Sequence, residues 1–174
     1  MNVKKGKPRY LCAHRPAIPL QNRTSNNELL VGYGFRWWLT GLRSRNPVHW
    51  QDTWRLYSNS LDTKSARLAV DCLAKWAVAA DAHAHRRLQI AGLHMNSFSR
   101  DETLAIAMIA ASQHSTCPAM RACAFALLET PHVDEVVHHA ETFAVVLRAQ
   151  GCLLSPHAIV NANDYMGGGP GAMN

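Results

Sequence analysis

Between Thr103 and Leu128 the chain carries one charged side chain, Arg121. Two helices are predicted in this stretch, over residues 104–113 and 119–128, and neither has a charged face to turn to water. A helix that is apolar all round must be covered. In a chain of 174 residues one such helix can sit at the centre of the others, but two are harder to hide, because every neighbour must also present its own outer face. The expectation is that part of this hairpin is covered by another chain, as a homodimer or with a protein partner. Leu104, Ile106, Met108, Ile109, Met120 and Phe125 would supply that contact. The competing expectation is an alanine-rich hairpin packed inside a monomer.

The rest of the body also reads as helical. Asn26 or Asn27 can cap a run that places Val31, Phe35, Trp38 and Leu42 at helical spacing, although Gly32, Gly34 and Gly41 weaken it. Asn46-Pro47 starts a second helix with Trp50, Trp54, Tyr57 and Leu61 on one face. Asp62 or Thr63 caps a third, striped by Ala66, Ala69, Val70, Leu73, Ala77 and Ala80 and ending near Leu88. Ser99 and Glu102 form a capping box before the first apolar helix. Thr116-Cys117-Pro118 opens the second, and Thr130-Pro131 opens a sixth helix that ends ahead of Gly151. The predicted fold is all-α, a compact antiparallel bundle or orthogonal array of about six helices. Its parts would be a basic, disordered arm over residues 1–27, one helical domain over 28–155, and a flexible Gly-rich tail over 156–174. No apolar run reaches the ~18 residues that span a bilayer.

Charge is unevenly placed. The net charge is +6, and residues 1–27 hold Lys4, Lys5, Lys7, Arg9, Arg15 and Arg23 with no acid. The remaining twelve Lys and Arg balance twelve Asp and Glu. Three prolines and the absence of apolar periodicity make the arm extended or disordered. Such an arm could contact phosphates, or could keep a weakly charged body soluble.

Ten histidines and five cysteines raise the question of metal. His83 and His85 are two apart, so on a helix they point to different faces; Asp81 and His85 share one and could pair. The best set is His114, Cys117 and Cys123 at the turn between the apolar helices. It gives three ligands where a structural zinc site takes four, and it lacks the usual paired spacings. Packing thiols and a histidine closing a helix end are the expectation, with no metal and no cofactor. An odd cysteine count without C-x-x-C spacing points to a reducing compartment, so the chain is expected to be cytoplasmic. The nucleophile-elbow, zincin and phosphate-loop motifs are absent, and the chain is expected not to be an enzyme.

Trp37, Trp38, Trp50 and Trp54 lie close to Arg36, Arg43, Arg45 and Arg55. Interleaved aromatic and basic residues can stack on bases, but helical spacing favours an aromatic seam between the first two helices with arginines outside. A helix-turn-helix fits the second and third helices better than the fourth and fifth, with Lys64 and Arg67 near the start of the third. The leading expectation is therefore a small regulator or adaptor working by protein–protein association. The alternative is a nucleic-acid-binding transcriptional regulator whose contacts include Lys4, Lys5, Lys7, Arg9, Lys64 and Arg67.

Overall fold

Ser25 begins the first helix. Its hydroxyl accepts the N–H of Glu28, and the Glu28 carboxylate accepts the N–H of Ser25, so two orphan donors are closed at once. The expected caps, Asn26 and Asn27, are the first two residues of the helix itself. A computed structural model of the chain describes residues 25–166, and every regular element among them is α-helical. These are α1 (Asn26–Ser44), α2 (Pro47–Ser60), α3 (Thr63–His83), α4 (Arg100–Gln113), α5 (Cys117–Leu128), α6 (Asp134–Ala149), α7 (His157–Asn161) and α8 (Asn163–Met166). No helix among the described residues is long and apolar enough to cross a membrane.

All six predicted long helices are present, α3 and α6 with shifted ends, and several of their starts follow local chemistry. Asn46 accepts the N–H of Val48, with Pro47 next to it; Asp62 accepts those of Lys64 and Ser65; Ser99 and Glu102 form the expected box. At the end of α6, Gly151 takes φ +73°, as a residue following a helix often does.

Helix α4 is the axis of the fold. It packs against α1, α5, α6 and α7, and residues 101, 102 and 104–111 are all buried. Small side chains at Ala105, Ala107, Ala110 and Ala111 let these neighbours close on it. This overturns the expected partner interface. Leu104, Ile106, Met108, Ile109 and Met120 are enclosed by their own chain, and only Phe125 is exposed. Two facts upset the earlier geometric argument. Helix α5 does present an outer face, made of Arg121, Ala122 and Phe125, so it need not be covered all round. In addition, α7 supplies a wall for α4 from a segment expected to be tail.

That segment is the second correction. Ala158 and Ala162 belong to the core. The Gln113 amide donates to the Cys152 carbonyl at 2.9 Å and accepts the Leu154 N–H at 2.8 Å, and His114 Nε2 lies 2.9 Å from the Leu154 carbonyl. The chain is thus tied down through residue 154 and docked through residue 162. Helices of five and four residues are too short to show periodicity.

The third correction concerns α3, which stops at His83 rather than near Leu88. Ala84 turns to an extended conformation, and the His85 N–H donates to the Leu128 carbonyl at the end of α5. Residues 84–99 then run without regular structure to Ser99. Helix α6 also starts later than Thr130-Pro131, at Asp134.

Aromatic residues fill the space between α1, α2, α3 and α6. Trp76 meets Phe35 at 4.9 Å and Phe143 at 5.7 Å between ring centroids. Tyr57 is fully buried and donates to the Leu30 carbonyl at 3.2 Å; burial drives its phenol pKa far above the ordinary value. The phenol fits because residue 34 is glycine. A Cβ there would stand 2.7 Å from the Tyr57 hydroxyl.

Candidate functional site

The most concentrated polar chemistry surrounds Arg36. The sequence placed this residue among outer arginines, yet it is fully buried. Its Nε donates to Glu102 Oε1 at 2.7 Å and its Nη2 to Oε2 at 3.0 Å, a bidentate pair. The remaining guanidinium donors reach the carbonyls of Met95 and Ser97 at 2.7 Å and Gly92 at 3.4 Å. The rings of Tyr33 and Phe98 flank the guanidinium carbon at 5.1 and 5.3 Å. Glu102 also accepts the N–H groups of Ser99 and Ala91.

Asp101 does the same work beside it. Fully buried, it accepts two bonds from Arg86, at 2.7 and 2.8 Å, and the Gln89 N–H at 2.6 Å. Arg86 reaches on to Glu129, and these hydrogen bonds raise its guanidinium pKa further. Arg43 bonds Asp81 and the Leu88 carbonyl. Every strong donor at this centre is occupied by the protein itself. These bonds hold residues 84–99 against α1 and α4. The signal for Arg36 was its register, four residues after buried Gly32 and three before buried Leu39 on α1.

The metal candidates do not converge. Cys117 is exposed, whereas Cys123 is buried with its Sγ 3.4 Å from Met166 Sδ. Burial pushes the Cys123 thiol up to about 11, and the thiols of Cys72 and Cys152 upward as well. No cluster of His, Cys, Asp or Glu among the described residues could hold a metal ion. Asp81 pairs with Arg43 rather than His85, and His83 faces Glu135 at 2.8 Å.

The tryptophans form a seam as expected, but an open one. Trp38 and Trp50 meet at 5.9 Å, and Trp50 lies against Gly41. Trp37 stacks on Tyr33. On the outer side a groove of about 400 Å³ is lined by Trp38, Trp54, Arg67, Val70, Asp71 and Ala74. Both indoles are half-buried. Asp71 is engaged by Lys75 at 2.7 Å, whereas Arg67 is exposed and has no carboxylate partner among the described residues. Lys64 is exposed one turn before it. Asp62 takes up the free N–H groups that start α3, so that helix end offers a phosphate no open donors. Lys4, Lys5, Lys7 and Arg9 lie outside the described residues.

A second recess, of about 390 Å³, opens where α1 begins. Glu28, Phe98, Ile106, Asn161 and Tyr165 contribute to its walls. Glu28 was read neither as a cap nor as a site residue. Compared with known protein families, with curated proteins and with solved structures, the chain matches none.

Proposed function

We propose that the protein is a non-enzymatic binding module, a regulator or adaptor, that associates with another protein through the tryptophan groove of α1, α2 and α3 rather than through α4 and α5. One observation carries this reading. Two half-buried indoles border an open groove whose rim holds Arg67, an exposed arginine with no carboxylate partner among the described residues. Tryptophan and arginine are the side chains that most often dominate association energies, and they do so in recesses that shed water. The occupant that fits is a partner segment placing one bulky apolar side chain between Trp38 and Trp54, with an Asp or Glu beside it for Arg67.

Synthetic peptides test this, carrying a central leucine flanked by glutamates in one version and by lysines in the other. The acidic peptide should perturb tryptophan emission and bind at least about tenfold more tightly than the basic one. Arg67→Glu, a change at an exposed position, should reverse that order. Equal binding of both peptides, or none, rejects the reading.

A second reading has one observation in its favour: Lys64 and Arg67 stand exposed next to indoles on which a base could stack. The described residues balance twelve basic against twelve acidic side chains, which favours the protein partner. Single-stranded oligonucleotide binding with a steep salt dependence, lost in Lys64→Glu/Arg67→Glu, would favour nucleic acid instead.

A further inference from the structure

We infer that the recess at the start of α1 is a binding site for a small organic cation, a protonated amine attached to an apolar body, with Glu28 as its counter-charge. Glu28 is 7% exposed, and its side chain lines the recess. One carboxylate oxygen, Oε2, accepts the Ser25 N–H at 3.0 Å; the other has no hydrogen-bond partner among the described residues. No Lys, Arg or His among them lies within ion-pair distance of Glu28, and none of the described residues that line the recess is basic. The two carboxylates that are fully buried among the described residues, Asp101 and Glu102, each have an arginine. The free Glu28 oxygen is not among the buried polar atoms that lack a partner, so it opens onto the recess rather than into the core.

The walls fit the same chemistry. Asn96 and Asn161 carry amide oxygens that can accept from an ammonium group. Ile106 and Ala158 form an apolar floor, and the Phe98 and Tyr165 rings border the space. Aromatic rings favour a cation over an anion or a neutral group. A volume near 390 Å³ is at the lower end of small-molecule sites. This site is separate from the tryptophan groove and does not depend on what that groove binds.

The test is calorimetric titration of the full-length chain with three probes of one shape: phenethylamine, 2-phenylethanol and 3-phenylpropionate. The amine should bind at least about tenfold more tightly than the alcohol, and the carboxylate least. Glu28→Gln keeps a side chain able to close the capping box, so the fold is retained while the charge is removed. In that variant amine and alcohol should bind alike. Asn161→Trp, at an exposed position on the rim, should weaken all three probes together. Absence of amine binding, or amine binding equal in Glu28→Gln, overturns the inference. So does amine binding that appears only when the six Lys and Arg of residues 1–24 are changed to Gln, since the occupant is then a side chain of the protein's own N-terminal segment.

Discussion

The guanidinium of Arg36, in the middle of α1, and the carboxylate of Glu102, in the first turn of α4, meet at 2.7 Å with both side chains fully shielded from solvent. Sixty-six residues apart in sequence, they join two helices and also fix the strand of irregular backbone between them. Glu102→Gln leaves the α4 capping box chemically possible but strands a buried cation. Loss of one partner from such a pair costs about 3–5 kcal/mol. Urea denaturation should show that loss. Arg36→Met/Glu102→Leu should recover only part of it, because the carbonyls of Met95 and Ser97 would still lack their donor.

Close approach at Gly34 makes a separate prediction. A methyl group there must displace the Tyr57 ring or Leu73, which stand within 3.1 Å of it. Gly34→Ala should therefore destabilise by about 1–3 kcal/mol despite its better helix propensity. Gly92→Ala meets only Met95 Cγ at 3.5 Å and should stay within about 0.5 kcal/mol of wild type in thermal melts.

The hairpin face can be separated into its covered and open parts. Ile106→Asp puts an unpaired charge at a position 4% exposed and should cost about 3 kcal/mol or more, visible as lost helicity by circular dichroism. Phe125→Asp, at 51% exposure, should fold with a loss near 1 kcal/mol. Equal damage from both would mean that Phe125 too is covered in solution.

Thiol reactivity should follow burial. In a Cys12→Ser background, Cys117 should react rapidly with a maleimide at neutral pH, while Cys72, Cys123 and Cys152 react only on opening of the fold. Cys123 should be slowest at a given accessibility, since burial holds its thiol pKa near 11.

Acid should act on α3 through Asp62. Its carboxylate pKa is held below the ordinary value by hydrogen bonds from Ser65, then from the Lys64 backbone. A depressed folded-state pKa stabilises above the unfolded value of about 4 and loses that contribution as pH falls through the folded value. Asp62→Asn retains the cap but not the charge. The difference in melting temperature between wild type and Asp62→Asn should therefore stay constant down to about pH 4 and shrink only as the pH falls further.

Much of this fold was legible where a residue's role is decided by its neighbours along the chain. The Ser99–Glu102 box, Asn46 before Pro47, and Gly151 after α6 are local arrangements, and they stand as expected. What escaped was set across distance. Arg36 looks like its exposed neighbours until Glu102 and three carbonyls surround it. Residues 84–88 continue a helical pattern, but the Leu128 carbonyl and Asp101 draw them out of it. Of the candidate binding residues, Arg67 was named from its place on α3, but the groove beside it needs Trp38 and Trp54 from two other helices. Glu28 gave no sign at all, because a capping acid and a lining acid look the same in one dimension.

The position of α7 on α4 has a consequence for how the molecule matures. On the ribosome α4 emerges while three of its four walls, α5, α6 and α7, are still to be made. Until Gln113 can clasp residues 152 and 154, the most completely buried of the long helices stands bare on that side. Nascent protein must pass through a sticky interval that ends only when the last few turns arrive, and chaperones have their opening there.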